Sequence, residues 1–282
     1  MKKRSLKLII TALVISMVGG AIAGCSSDKN TDEAGKSEPV TISISGSTSV
    51  GPLMEKIAEE YENKNEGTTI EINQVGSSAG IKDAISEVSE IGMASRELKD
   101  EEKQEVTGTI IAYDGIALIT SKNNPVKDIT LEEAKKIYTG EITNWKELQG
   151  GIDAPIVVVS REEGSGTRTA FEEIVGYKSE ELVQAATIAD GSGSIKTTVA
   201  GNENAIGFVS FEYLDDTIGA LNLGGVKPEA SLVKSGEYKL SRPFILATKT
   251  SNTTENSKKL IDYILSKEGQ KIVGDNKLIT LD

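Results

Sequence analysis

Three times in this 282-residue chain a short apolar strand runs into a Ser/Gly/Thr turn with a helix on its far side. The alternating Val40, Ile42, Ile44 lead into Gly46-Ser47-Thr48-Ser49 and a helix opened by Pro52. Ile70, Ile72 and Val75 lead into Gly76-Ser77-Ser78-Ala79-Gly80, ahead of Ile81, Ala84, Ile85 and Val88. The run Ile156 to Val159 leads into Arg161-Glu162-Glu163-Gly164-Ser165-Gly166-Thr167, ahead of Ala170, Phe171, Ile174 and Val175. Each turn sets unpaired backbone N–H groups and hydroxyls at the positive end of a helix dipole, where negative charge is favoured. Three such turns, with Arg161 in the last, point to convergence on one small, multiply hydrogen-bonded anion. Singly, each could be no more than an N-capping turn, since Ser and Thr are ordinary caps.

The N-terminus is set aside from the fold. Lys2, Lys3, Arg4 and Lys7 precede an apolar stretch from Leu8 to Val18, which ends at Ile22-Ala23-Gly24-Cys25. This reads as a lipoprotein signal peptide over residues 1–24 with Cys25 as the lipid attachment site, the stretch being short for a membrane span of ~20 residues. Cys25 is the single Cys, so the mature chain has no thiol for a disulfide or a metal site. Removing the four basic residues takes the formal charge from -12 to -16, against nucleic acid as a partner. Anion selectivity must therefore come from local donors. The sequence has no His, which removes Ser-His-Asp and Cys-His machinery and the commonest metal ligand. No catalytic residue, metal or cofactor is expected.

Residues 25–39 read as a polar, disordered tether. From Val40 onward strands alternate with helices, predicting an α/β protein with mainly parallel sheets. Two apolar stretches, Ile110 to Ile119 interrupted at Asp114 and Phe244 to Ala247, read as strands crossing between two lobes. The expected division is 40–113 plus 247–282 for lobe I and 114–246 for lobe II. Asp190 to Ser194, followed by Ile195 to Thr198, is expected to line the second lobe's side of the cleft. Asp100 to Glu105 reads as a solvated helix face with no site implied.

The three turns, with Ile91-Gly92-Met93-Ala94-Ser95, Ile137-Tyr138-Thr139-Gly140-Glu141-Ile142-Thr143-Asn144-Trp145 and Asn204 to Ser210, resemble in order the motifs of phosphate-binding proteins of Pst-type ABC importers. The resemblance spans about Val40 to Asp282. It implies a type II periplasmic-binding-protein fold of two lobes, with ligand contacts from Ser47, Thr48, Ser49, Ser77, Arg161, Ser165, Gly166 and Thr167. It also implies Glu163 as the acid that orients Arg161. The partners implied are inorganic phosphate, the permease subunits of an importer with its ATPase, and the membrane through the N-terminal lipid. The receptor would be a monomer, extracytoplasmic and lipid-anchored, on a Gram-positive surface. One position departs from the pattern: Ser95 is followed by Arg96 where the familiar branch has an Asp that accepts the proton of hydrogen phosphate. Arg96 is then expected to face the anion as a second cation, with Asp114 as the replacement acceptor. The alternatives are a receptor for another tetrahedral oxyanion such as sulfate or molybdate, and a surface phosphohydrolase or adhesin.

Overall fold

The structure, a computed structural model, describes residues 39–281; the expected signal peptide, the expected lipid attachment site Cys25 and the expected tether up to residue 38 lie outside the described residues. The order is β1 (Val40–Gly46), α1 (Gly51–Lys64), β2 (Thr68–Gln74), α2 (Ser77–Ile85), β3 (Ile91–Ala94), α3 (Asp100–Lys103) and β4 (Val106–Ser121). Then come β5 (Asp128–Ile129), α4 (Leu131–Tyr138), β6 (Val157–Arg161), α5 (Gly166–Val175), β7 (Thr187–Ala189), α6 (Gly191–Ala200) and β8 (Ala205–Ser210). β9 (Ile218–Ala220), β10 (Asn222–Leu223), α7 (Ala230–Lys234), β11 (Ser241–Lys249), α8 (Glu255–Leu265) and α9 (Lys267–Asp275) complete it.

Local sequence explains the first unit. Ile42 and Ile44 point inward from β1 while Thr41 is exposed and Ser43 half-buried, as a period of two requires. Pro52 pre-sets the backbone at the first turn of α1, which buries Leu53, Met54, Ile57 and Tyr61 on one face at helical spacing. A single truncation there, such as Leu53→Ala at a fully buried position, would cost about 2–5 kcal/mol.

The main sheet has the order β2-β1-β3-β11-β4-β8-β6-β7, with β9 added on β4. β1 pairs in parallel with β2 and β3, and β6 in parallel with β7 and β8. β4 and β11 are antiparallel to each other, so the sheet is mixed where mainly parallel pairing was expected. β4 does not break at Asp114: its first part, from Val106 to Gly115, pairs with β11, and from Ile116 onward it pairs with β8. Each half of the sheet carries its own apolar core. One joins Ile42 to Ala112 with Phe244 to Leu278. The other draws on Ile116 to Leu240 and holds Trp145, Tyr138 and the stacked Phe171 and Phe208 rings. The chain passes from core to core at Asp114–Gly115 and again between Leu240 and Phe244, and this is the fold's two-lobed, twice-crossed architecture. At the first passage a Cβ on Gly115 would stand 2.1 Å from the ring of Phe211, so only Gly lets the two elements touch.

Candidate anion-binding site

The turns found in the sequence meet where the two halves of the sheet face each other. Ser47 to Ser49 follow β1, and the Ser47 N–H donates to the Met93 carbonyl of β3 (2.9 Å). Ser77 is the first residue of α2, entered through Gly76 at φ 89°, a conformation Gly adopts without strain. Arg161 ends β6, and Ser165 caps α5, its hydroxyl accepting from the Arg168 N–H (3.2 Å). The N-termini of α1, α2, α5 and α6 thus gather around one spot.

Hydroxyls from both halves bond directly there. Ser49 Oγ lies 2.7 Å from Thr167 Oγ1 and 3.0 Å from Ser192 Oγ. Thr48 Oγ1 lies 3.1 Å from Ser192 Oγ and accepts from the Ser192 N–H (3.2 Å). The Ser47 hydroxyl donates to Ser95 Oγ (2.8 Å), and Ser95 in turn donates its N–H to Ser77 Oγ (3.2 Å). Gly166 fits against this group because it has no side chain: a Cβ would fall 2.2 Å from Ser77 Oγ and 2.8 Å from Ser95 Oγ. Of the expected contacts, Ser47, Thr48, Ser49, Ser77, Arg161, Gly166 and Thr167 come together, with Ser165 placed as the cap behind them. From the 190–194 segment, Ser192 joins them through its bonds with Thr48, Ser49 and Arg161. Ser95, which follows β3 and carries no ligand role in the sequence pattern, enters the cluster through its bonds with Ser47 and Ser77.

Arg161 is 1% exposed and donates to both sides, from Nη1 to Ser192 Oγ (3.1 Å) and from Nη2 to Thr48 Oγ1 (3.0 Å). Its orienting acid is Glu162, not Glu163. Nε and Nη2 each donate to one Glu162 carboxylate oxygen at 2.7 Å, whereas Glu163 is exposed. The tight turn that follows β6 explains the exchange, because Gly164 at φ 87° reverses the chain and leaves Glu163 outside. Burial alone would raise the Glu162 carboxyl, but its bonds with Arg161 and the Arg161 charge outweigh that and hold it below the ordinary value. The pair is a planar fork on a carboxylate, which sets the guanidinium's orientation.

The other charged positions depart from expectation. Arg96 is buried at 2% exposure and turns its fork onto Glu102, with Nη1 and Nη2 each 2.8 Å from a carboxylate oxygen. Nη2 also reaches Ser78 Oγ at 3.3 Å. Its charge is committed to Glu102, in the segment read as a solvated face, so it is not the second cation of the hydroxyl cluster. Burial raises the Glu102 carboxyl, and the bonds from Arg96 and the Lys99 N–H more than reverse this, leaving it lowered. Asp114 is also committed. Oδ2 accepts from Arg242 Nε (3.3 Å) and Nη2 (2.9 Å), and Oδ1 accepts from the Ser210 hydroxyl (2.9 Å) and the Phe211 N–H (3.3 Å). With two bonds on each oxygen, Asp114 has no lone pair left for a ligand proton. The buried cation beside the cluster is Arg242, which the sequence reading passed over. Its Nη1 donates to the Ser95 carbonyl (3.1 Å). Burial pushes Arg242 below its ordinary value, with Asp114 opposing and the like charge of Arg161 adding to the fall.

A mixed sheet in two halves, two passages between two cores and a hydroxyl-lined site where the halves meet define a solute-binding receptor of the type II periplasmic-binding class. Comparison with known proteins agrees. The model of the PBP superfamily domain matches residues 31–268. The phosphate-binding protein PstS of Bacillus subtilis is 34% identical over 282 residues, spanning 97% of this chain and 92% of that one. A crystal structure from Clostridium perfringens, assigned as a phosphate ABC transporter substrate-binding protein and holding bound phosphate, superposes with a TM-score of 0.84 at 61% identity, over 86% of this chain and 100% of that one. An ABC-type phosphate transport receptor from Vibrio cholerae gives a TM-score of 0.71 at 34% identity, over 85% of this chain and 99% of that one. The chain belongs to the periplasmic-binding-protein superfamily and, within it, to the PstS family.

Proposed function

We propose that this protein captures inorganic phosphate between its two lobes and delivers it to an ABC importer. The observation that carries the reading is the cluster of Ser47, Thr48, Ser49, Ser77, Thr167 and Ser192 around the oriented guanidinium of Arg161, at four helix N-termini. Neutral hydroxyls and N–H dipoles can satisfy the many lone pairs of a dehydrated phosphate. Each such bond contributes ~1 kcal/mol net and each bond to a charged group ~1.5–3. A dozen of them exceed association costs of about 4–15 kcal/mol and leave micromolar or tighter binding. Closure would be a hinge motion about the two passages, with lobe I over 40–113 plus 247–282 and lobe II over 114–246. Tyr213, whose hydroxyl donates to the Thr48 carbonyl (2.8 Å), would latch the closed form. The superfamily is one of substrate-binding receptors, and the protein acts as a receptor rather than an enzyme.

The delivery partners are membrane permease subunits with their ATPase. Attachment through a lipid on Cys25 would hold the receptor, as a monomer, outside the cytoplasmic membrane of a Gram-positive cell. No helix among the described residues is long and apolar enough to cross a membrane. A receptor for tetrahedral oxyanions in general is the second reading, favoured by the filled lone pairs of Asp114 and by Arg96 in place of an acid. Calorimetric titration of the ligand-stripped protein with phosphate and then sulfate separates the two. Tight phosphate binding without a sulfate signal supports the phosphate receptor, comparable binding of both supports the general one, and silence towards phosphate refutes the first reading.

A further inference from the structure

Glu212 follows directly on Phe211, whose N–H donates to Asp114, and lies in the short 3-10 turn Phe211–Tyr213. Both of its carboxyl oxygens are buried and neither has a hydrogen-bond partner. A buried carboxyl with no partner is costly, and it invites a group that will complete it. Its surroundings tie it to the anion site. The next residue, Tyr213, donates to the Thr48 carbonyl. Arg242, which feels the Glu212 charge, also feels that of Arg161 and donates to the Ser95 carbonyl. Asp114, beside it, has all four of its accepting positions filled, while Glu212 has all of its own open.

We propose that Glu212 is a further binding determinant of this anion site: its uncommitted carboxyl exchanges a hydrogen bond, and the proton in it, with the bound oxyanion. The inference rests on the phosphate reading above. The charged groups facing Glu212 are Asp114 from β4 and Arg242 from β11, with the phenol of Tyr213 on its own turn. Burial, reinforced by Asp114 and opposed by Arg242, pushes the carboxyl up to about 9. At neutral pH the Glu212 carboxyl therefore keeps its proton and adds no charge beside Asp114 and Arg242. A dianionic phosphate accepting from the acid and a monoanionic phosphate donating to the carboxylate are one composition, differing only in where the shared proton sits. Once that proton leaves, the Glu212 carboxylate adds a negative charge against the dianion. Tyr213, pushed up to about 12 by burial and by Glu212, keeps its own proton through the same range.

The test is calorimetric titration of the purified protein with inorganic phosphate from about pH 7 to about pH 10.5, where phosphate beyond pH 8 stays dianionic, for the wild type, Glu212→Gln and Glu212→Leu. The wild-type Kd should be flat to about pH 9 and then weaken roughly tenfold per pH unit, as loss of one linked proton requires. Glu212→Gln, which can hydrogen-bond but cannot give up a proton, should bind about three- to tenfold more weakly at pH 7 and lose the alkaline fall. Glu212→Leu should weaken binding by roughly tenfold to a hundredfold. An alkaline fall that persists unchanged in Glu212→Gln, or an unaltered Kd in Glu212→Leu, overturns the inference while leaving the phosphate reading standing. A wild type that binds no phosphate at any pH overturns both.

Discussion

The hydroxyls of Ser49 and Thr167 stand 2.7 Å apart although 118 residues separate them. Ser49 belongs to the turn after the first strand and Thr167 to the first turn of α5, so the contact joins the two halves of the molecule. Both side chains can give or take the hydrogen bond, and both can turn to an anion lying between them.

Arg161 is the charge most directly placed on this group, and its role depends on shape. Arg161→Lys keeps the charge but loses the fork that grips Glu162 while donating to Thr48 and Ser192. Phosphate affinity measured by calorimetry should fall about a hundredfold, the equivalent of one or two bonds to a charged group. An affinity within threefold of wild type would mean that Arg161 acts as a point charge alone.

Gly166 should separate folding from closure. In Gly166→Ala the new methyl group would meet Ser77 and Ser95 only when the halves come together, and Ala favours the helix that begins there. The melting temperature of the ligand-free protein should hold or rise slightly. The further stabilisation that phosphate confers should shrink, as differential scanning fluorimetry with and without phosphate would show.

Breaking the Asp114–Arg242 pair should damage the fold more than a lost surface bridge would. The two side chains are 0% and 1% exposed, and Asp114→Asn leaves a buried guanidinium uncompensated. Chemical denaturation of the ligand-free protein should show a loss of about 3–5 kcal/mol. Replacing the exposed pair of Lys258 and Glu255 should leave the denaturation midpoint almost unmoved, because water and salt screen it.

Stability should also depend on pH through Glu212. Its carboxyl keeps a proton in the folded state to about 9, whereas in the unfolded chain it loses it near the ordinary Glu value of about 4.3. Between those values the unfolded state binds fewer protons, so this group makes stability fall as pH rises through the window and then level off. Thermal melts of ligand-free Glu212→Gln between about pH 5 and about pH 9 should show a shallower decline than the wild type. Parallel curves would remove Glu212 from the pH dependence.

Much of this architecture is short-range and therefore legible in one dimension. Alternation at Ile42 and Ile44, helical spacing from Leu53 to Tyr61, and Ser or Gly where a strand turns into a helix each act over a few residues. They sufficed to place Ser47 to Ser49, Ser77, Arg161 and Gly166 to Thr167 at helix N-termini and to suggest two lobes. The choice of partner for each buried charge was not legible in that way. Arg161 had two adjacent acids to choose from, and the reversal at Gly164 turned Glu163 outward and left Glu162 on the guanidinium. Arg96 met Glu102 across the start of α3 in a segment that reads as solvated. Asp114 faces Arg242 because antiparallel pairing sets them opposite each other on neighbouring strands, 128 residues apart in sequence. What the sequence determined by itself is the set of turns and the lobes that carry them. What only the tertiary structure decided is which charges neutralise one another, because sheet register and burial select the ion pairs and neither is encoded in any local run of residues.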